Sequence, residues 1–300
     1  MADLRSLEIF YWVATLASFR RAAEQVNTTQ PAVSQRIAAL EQEYGPLLER
    51  RARDVALTDA GRRVLAYAER FLALRAEMTA DLASPETMTG SLRLGVSETI
   101  VHLWLIPFVE RLRAVYPGVT VDISVDISTN MQSALLANEI DLALLVGPIT
   151  LPDFVNRPLF STPVAWIASP QLLDCDRPLA LDDLLRHPLI TYPKNTSPYV
   201  ELRDLILRAN GPPPQIHTSA SLATIVKMTV ERLGICVIPP AIVRKEIAAG
   251  ELVVARTEVR LSPIGFTATY ANRPGQHLAE QAARIAQEVA GAFAAGPPAP

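Results

Sequence analysis

The feature that most constrains the fold is a joint of only three residues, Asn27 to Thr29, between two helical patterns. The first pattern begins at Ser18, a natural N-cap. The second begins with Gln30, and its Pro31 is tolerated because a first turn has no intrahelical partner for the missing N–H. Thr29 is placed to cap this second helix. So tight a connection between two short helices predicts a helix-turn-helix.

The second helix divides into a buried and an exposed face. At about 100° per residue, Val33, Ile37 and Leu40 fall in one narrow sector, which we expect to be buried. The opposite face is polar and uncharged near its start, whereas a solvated surface helix usually carries Lys and Glu. The second helix of a helix-turn-helix enters the major groove of double-stranded DNA. We therefore predict base reading by Gln30, Ser34, Gln35 and Arg36, with Thr28, Thr29 and Pro31 beside phosphate.

Arginines flank this region and favour DNA binding over an ordinary helical hairpin. Arg20 and Arg21 open the first helix, and Arg50, Arg51 and Arg53 follow the second. The whole chain has 28 Lys and Arg against 31 Asp and Glu, a net charge of -3, so any attraction to DNA must be local. This distribution predicts phosphate contacts from the arginine clusters, Arg20 among them.

A long helical stretch follows, from Thr58 to about Leu82. Its apolar residues recur at steps of four and three, with Arg75 as one charged interruption, which is a heptad pattern. An amphipathic helix that packs on its own domain is the alternative. The position between two domains favours a dimer seam, formed by Val64, Ala68, Phe71, Met78 and Leu82.

From Gly90 onwards, strand patterns alternate with helical patterns. Such alternation predicts a mostly parallel sheet with helices on both faces. A second unit of the same kind follows, and the chain crosses between the two near 160–164 and 262–267, so we expect a cleft between two α/β subdomains. The predicted strands are 91–97, 119–125, 142–147, 163–169, 188–192, 234–239 and 264–273, and the predicted helices are 98–116, 130–138, 198–210, 222–233 and 276–290.

Four strand-to-helix turns carry hydroxyl residues where ligands bind in α/β folds. Each is most simply an N-cap, but together in one cleft their N–H groups would receive a carboxylate, sulfonate or sulfate. If Glu98 faces that cleft, it favours an ammonium or hydroxyl group on the ligand. The expected ligand is an organic acid, an amino acid or a sulfur-containing anion. Its candidate effector-binding residues are Ser97, Glu98, Thr99, Ser128, Thr129, Thr196, Ser197, Ser219 and Ser221.

Other function classes find no support in the sequence. Cys175 and Cys236 are far apart and the four His are scattered, so we predict no metal site and no disulfide framework. No catalytic or cofactor-binding motif is evident, and we expect neither catalytic residues nor a cofactor. The lack of a signal peptide and of an apolar run of about 20 residues predicts a cytoplasmic protein with no membrane association. A solute-binding or enzymatic α/β protein and a constitutive architectural DNA binder are the alternatives.

The stretch from Leu7 to Gly61 closely resembles the winged helix-turn-helix of LysR-type transcriptional regulators. The matching motifs are Gln-Pro-Ala-Val-Ser, Ile-x-x-Leu-Glu, Leu-x-Glu-Arg and Leu-Thr-x-Ala-Gly. The resemblance implies an all-α winged helix-turn-helix domain at 1–58, a linker and dimerisation helix at 59–89, and a ligand-responsive effector-binding domain at 90–300. The latter would contain two Rossmann-like subdomains similar to periplasmic binding proteins, I (90–161 and 266–300) and II (162–265).

The resemblance also implies partners and residue roles. Ala52 to Val55 would form the wing, Arg51 or Arg53 would approach phosphate or the minor groove, and Arg50 would form a structural ion pair. A homodimer is expected, and a homotetramer and a contact with RNA polymerase are compatible with the family. The sequence departs from the family pattern in three respects. Gln35-Arg36 reverses the common Arg-Gln order and leaves the main base contact open, Leu48 replaces Phe, and Arg232 replaces a Gly.

Overall fold

The computed structural model describes residues 3–50, 55–82, 88–151, 153–173, 177–209, 212–273 and 275–296. The chain divides into two compact units, Met1–Ser84 with Arg273–His277, and Pro85–Asn272 with Leu278–Pro300. Among the described residues, no helix combines the length and apolar character that a membrane span requires.

The first unit combines helices with one short pair of strands. Ser18 caps the second helix as predicted, because its Oγ accepts a hydrogen bond of 3.3 Å from the Arg21 N–H. The two strands pair antiparallel on either side of 51–54, and each is too short to show an alternating pattern in the sequence. The elements are α1 (Leu4–Leu16), α2 (Phe19–Gln25), α3 (Gln30–Tyr44), β1 (Leu48–Arg50), β2 (Val55–Leu57) and α4 (Asp59–Leu82).

The core of this unit confirms the predicted buried face of α3. Val33, Ile37 and Leu40 are at most 2% exposed and lie in one cluster with apolar residues of α1, α2 and α4. Full burial of such a side chain stabilises the fold by roughly 2 kcal/mol. Leu48, which stands where the family commonly has Phe, is buried in the same cluster. The buried face therefore fixes which side of α3 remains available to a partner.

The first sheet of the second unit has five strands in the order β4-β3-β5-β12-β6. Four strands run in one direction and β12 runs against them. The strands are β3 (Thr89–Val96), β4 (Gly118–Val125), β5 (Leu142–Val146), β6 (Phe154–Thr162) and β12 (Ile264–Ala271), and the helices are α5 (Glu98–Leu103), α6 (Leu105–Val115), α7 (Ser128–Leu136) and α12 (His277–Ala295).

The second sheet has the order β11-β7-β10-β8-β9, and here β7 is the reversed strand. In both sheets the reversed strand is the one that follows a crossing between the sheets. The strands are β7 (Ala165–Ala168), β8 (Leu189–Thr191), β9 (Ile216–Thr218), β10 (Ile235–Ile238) and β11 (Val253–Val254), and the helices are α8 (Leu181–Leu185), α9 (Ser197–Leu207), α10 (Leu222–Val230), a 3-10 turn (Pro240–Val243) and α11 (Arg244–Ala248).

The structure corrects the sequence prediction at several elements. The single helix predicted over 98–116 breaks at Trp104, whose backbone φ is -150° and whose indole packs edge-on against Phe108 and Phe160. The sequence prediction missed β6, which contains a Pro and lies at the edge of its sheet, where Pro is tolerated. The first sheet ends at Thr162 and resumes at Ile264, slightly beyond the predicted subdomain limits.

Candidate functional site

The start of α3 presents a polar, exposed surface. Gln30, Pro31 and Gln35 are exposed, and Ser34 and Arg36 lie half-buried on its flanks. Thr29 takes the N-cap position, but its side chain makes no capping hydrogen bond, contrary to the expected cap. The hydroxyl therefore leaves the first-turn N–H groups of α3 open to another acceptor. Thr28 is half-buried, and its N–H donates to the Ala23 carbonyl over 2.9 Å.

Arg36 is held against the start of α1. Its Nη1 donates to the Asp3 carboxylate over 3.2 Å and to the Ser6 hydroxyl over 3.2 Å. Asp3 also caps α1, because its Oδ1 accepts from the Ser6 N–H over 2.6 Å. Hydrogen bonds from Ser6, and then the bond and charge of Arg36, hold the pKa of Asp3 below its ordinary value. Gln35 is thus the exposed member of the Gln35-Arg36 pair, and Arg36 joins two helices.

The structure describes only some of the arginines for which phosphate contacts are predicted. Arg20 is highly exposed on α2 and pairs with Glu24, one turn later, over 3.0 Å. Such exposed pairs are weak and exchange readily for a phosphate. Arg51 and Arg53 lie outside the described residues, as does the side chain of Arg50.

α4 has two neighbouring apolar sectors, and the residues of the predicted dimer seam are divided between them. Val64 and Ala68 belong to the core of their own unit, and Arg75 pairs with Glu8 of α1 over 3.4 Å. Phe71 and Met78 lie in the other sector, which is exposed. The side chain of Leu82 lies outside the described residues. Only part of the predicted seam is thus free to meet a partner.

The exposed sector, here called the α4 stripe, consists of four large side chains that are 51% to 62% exposed: Tyr67, Phe71, Leu74 and Met78. Their spacing of four, three and four residues is that of one coiled-coil face. The sequence pattern missed Tyr67 and Leu74 because the buried sector begins only a few tens of degrees away. Contacts with α1, rather than periodicity, decide which sector is buried.

A cavity of about 250 Å³ lies between the two sheets, at the carboxyl ends of their parallel strands. Seven of the nine predicted effector-binding residues line it: Ser97, Glu98, Thr99, Ser128, Thr129, Thr196 and Ser197. Ser219 and Ser221 do not line it, although Ala220 between them does, and the turn before α10 uses both hydroxyls. Ser219 Oγ accepts from the Ser221 N–H over 3.1 Å, and Ser221 Oγ accepts from the Thr224 N–H over 3.3 Å.

Several of the lining hydroxyls already have partners in the fold. Ser128 Oγ accepts from the Val146 N–H over 3.0 Å, and the Thr196 hydroxyl donates to the Pro193 carbonyl over 2.7 Å. Thr129 accepts from the Asn195 side-chain amide over 3.1 Å, so its own O–H proton can still be donated. The Asn195 contact also joins the two sides of the cavity.

The charged side chains that line the cavity in the described part of the chain are both acidic, Glu98 and Asp126. Asp126 accepts from the Ile127 N–H over 2.7 Å and from the Asn130 amide over 2.9 Å, next to the start of α7. Glu98 Oε2 accepts from the Leu222 N–H over 2.6 Å, across the cavity. An acidic ligand must therefore find its donors elsewhere on the wall.

The sequence prediction missed Tyr192, Asn195 and Asp126 as lining residues. The Tyr192 hydroxyl is buried beside Thr99, and burial raises its pKa, an effect that the Thr99 hydroxyl opposes. Tyr192 directly follows β8 and Asp126 directly follows β4, so their positions at strand ends were the signal that could have identified them.

Two known protein families match this chain, one over the helix-turn-helix and one over the two-sheet region. Residues 4–62 match the family described as "Bacterial regulatory helix-turn-helix protein, lysR family". Residues 85–294 match the "LysR substrate binding domain". The first match contains α3 and the start of α4, and the second contains both sheets and the cavity.

Individual proteins agree with the family match. The HTH-type transcriptional regulator BbuR of Bordetella bronchiseptica is 30% identical over 257 residues, which cover 84% of this chain and 78% of BbuR. ArgP of Mycobacterium tuberculosis has the same fold, with a TM-score of 0.67, 19% identity, and coverage of 97% of this chain and 98% of ArgP. LysG of Corynebacterium glutamicum, solved with bound effector Arg, has a TM-score of 0.62, 19% identity, and coverage of 96% and 99%.

The helix-turn-helix, the two-sheet region with its cavity, and these matches agree. The chain belongs to the LysR family, whose members are DNA-binding transcriptional regulators with an effector-binding domain and are not enzymes.

Proposed function

We propose that this regulator senses a small organic acid in the cavity between its sheets, makes its main base contact through Gln35, and works as a dimer joined along the α4 stripe. The observation that carries the ligand proposal is the convergence of seven predicted side chains, from three separate strand-to-helix turns, on one cavity. The proposed dimer contact is supported by the exposure of the α4 stripe, and the proposed base contact by the exposure of the Gln35 side chain.

The acid group is best received at the start of α9. This helix has 11 residues, its N-cap Thr196 makes no side-chain capping bond, and Ser197 lines the cavity. The first-turn N–H groups carry a partial positive charge of about half a unit. The Thr129 hydroxyl faces the same cavity and has a proton to donate. An anion placed there needs little reorganisation of the protein.

The rest of the wall favours a second polar group on the acid. Because Glu98 and Asp126 are both acidic, an amine or hydroxyl on the ligand would find acceptors opposite the start of α9. LysG, which shares this fold, was solved with the amino acid Arg as its effector. That ligand supports an amino acid here.

A ligand can act on DNA only through a difference in affinity for two states of the protein. Glu98 and Asn195 both bond across the cavity, so its occupancy is coupled to the approach of the two sheets. A ligand that binds the closer arrangement more tightly shifts the population towards it.

Thr99 provides the test of the acid-binding cavity. It is 2% exposed, lines the cavity and lies beside the Tyr192 hydroxyl. A thermal-shift and calorimetric screen of organic acids, amino acids and sulfur-containing anions should find an acid among the best binders. Thr99→Val should weaken that acid about tenfold or more, because Thr99 lies at the α5 end, where loss of its hydroxyl removes one buried hydrogen bond to the amine or hydroxyl group of the acid.

Thr218→Val is the matched control, because Thr218 is exposed on β9 and does not line the cavity. It should leave binding unchanged. A best binder that is neutral or purely cationic, or one that binds Thr99→Val as well as it binds the parent protein, would refute the acid-binding proposal.

A further inference from the structure

Glu98 joins the two sheets of the second unit. It is the first residue of α5, just after β3 in the first sheet. Its Oε2 accepts a hydrogen bond of 2.6 Å from the Leu222 N–H, 124 residues later in the chain. Leu222 is the first residue of α10, which packs on the second sheet. A carboxylate at a helix start forms a charge-assisted hydrogen bond with the exposed N–H groups.

The start of α10 is therefore filled from within the protein. Ser221 caps it through the Thr224 N–H, and Glu98 takes the Leu222 N–H. The Glu98 side chain is only 21% exposed, and its Oε1 lies 3.8 Å from His102 Nε2 on the same helix. The short hydrogen bond to Leu222 and the low exposure of the side chain make the carboxylate a fixed part of the cavity wall.

The filled start gives the cavity two chemically different ends. At the α5 and α10 end the wall presents the Glu98 carboxylate. At the α9 end it presents Ser197 and a helix start with no side-chain cap. None of the described lining residues is Lys, Arg or His, and the imidazole nearest to Glu98, that of His102, lies outside the lining. A ligand anion at the first end would meet a like charge at close range, in surroundings where burial strengthens the repulsion.

We infer that Glu98 determines the charge specificity of the cavity. It selects acids that carry an ammonium or hydroxyl group at their far end, and it rejects dicarboxylates. This inference rests on the proposed binding of the acid group at α9. It assigns to Glu98 two linked roles, because the same carboxylate bridges the sheets and repels a second anion.

Glu98→Gln isolates the charge. The amide oxygen of Gln can still accept from the Leu222 N–H, so the bridge between α5 and α10 can persist while the negative charge is lost. The probes are matched series of three to six carbon atoms: monocarboxylates, hydroxy acids, amino acids and dicarboxylates. Calorimetry measures their affinities for the full-length protein, and thermal unfolding checks that each variant is folded.

The parent protein should bind amino or hydroxy acids and should bind the matching dicarboxylates at least about tenfold more weakly. In Glu98→Gln the affinity for amino acids should fall about tenfold and the affinity for dicarboxylates should rise about tenfold. A change of this size corresponds to about one close charge contact. Glu98→Asp keeps the charge and should keep the preference. Glu110→Gln changes the net charge equally at an exposed site on α6 and should have no effect.

The outcomes separate this inference from the proposed function. An unchanged ranking of the four series in folded Glu98→Gln overturns the role of Glu98, and the acid-binding cavity still stands if Thr99→Val weakens the acids. If no acid of any series binds the parent protein, the inference and the proposed acid ligand both fail. A dicarboxylate that binds the parent protein best overturns the inference alone.

Discussion

Two helix starts in this protein look alike in sequence and differ in the structure. α3 follows Thr29 and α10 follows Ser221, and a hydroxyl residue before a helix predicts a cap in both places. Thr29 makes no capping bond, whereas Ser221 caps α10 and Glu98 takes a further N–H there. The start of α3 is open to a partner, and the start of α10 is already occupied. A helix start can therefore bind an anion only where the fold does not already supply an acceptor of its own.

α4 shows the same contrast, because one of its apolar sectors is buried in the core of its own unit and the other, the α4 stripe, is exposed. We expect disruption of the stripe to have the largest effect. Phe71→Asp would bury an unpaired charge in the proposed dimer interface. Breaking the interface this way should cost more than about 3 kcal/mol and weaken dimerisation and operator binding at least about 100-fold. Sedimentation and DNA titration measure both effects.

Ala73→Asp is the control for the stripe, because Ala73 is exposed on α4 roughly opposite Phe71. It should leave the dimer intact. If Phe71→Asp keeps the solution mass of the parent protein, the stripe is not the dimer contact.

The open start of α3 predicts a division of roles between Gln35 and Arg36. Gln35→Ala should cost about 1–3 kcal/mol on the operator and little on random DNA, as loss of one base contact does. Arg36→Ala should change the affinities for operator and random DNA by the same factor, because Arg36 acts through its hydrogen bonds to Asp3 and Ser6 at α1. Asp3→Asn should then resemble Arg36→Ala.

The control on the same helix is Gln42→Ala, at an exposed position near its far end. It should leave both affinities unchanged. A specific loss of operator binding in Arg36→Ala, with Gln35→Ala unaffected, would assign the base contact to Arg36 instead.

The two helix starts themselves should respond differently to removal of their hydroxyls. Ser221→Ala should lower the free energy of unfolding by about 1 kcal/mol, because it removes a capping bond. Thr29→Ala should change it by less than about 0.5 kcal/mol, since no capping bond is lost. Denaturant unfolding of the two variants tests the comparison directly, and equal losses would contradict it.

A further small effect is expected just beyond the other end of α10. Arg232 stands where the family has Gly, and its φ of +63° is in the left-handed region, which costs a non-Gly residue about 1 kcal/mol. Arg232→Gly relieves this strain and should stabilise the protein. The gain should stay below about 1 kcal/mol, because two losses oppose it: Gly loses more chain entropy on folding, and the hydrogen bond to Gln171 Oε1 is removed.

Arg208 offers the matched control, since it is an exposed Arg that directly follows α9, as its C-cap, with a φ of -87°. Arg208→Gly relieves no strain, so it should destabilise the protein by up to about 1 kcal/mol. Opposite signs for the two Gly variants in thermal unfolding would confirm the prediction, and equal signs would contradict it.

The fold was largely predictable because its signals are local. Val33, Ile37 and Leu40 follow one helical period, and the strands β5, β7 and β10 are runs of buried apolar residues between turns. The prediction was weaker where an element is short or breaks a pattern. Trp104 ends α5 within an otherwise continuous helical pattern, because its indole is buried between Phe108 and Phe160.

The sequence by itself determined the helix-turn-helix, the exposed polar start of α3 and the hydroxyl residues at the ends of strands, since each depends on neighbours within a few residues. Only the tertiary structure decided that Arg36 binds Asp3, that the α4 stripe includes Tyr67 and Leu74, and that Glu98 occupies the start of α10. Helical period and capping preference act over one or two turns. The residue that contacts a surface or a helix start can lie far away in the sequence. At the start of α10 it is Glu98, 124 residues before Leu222.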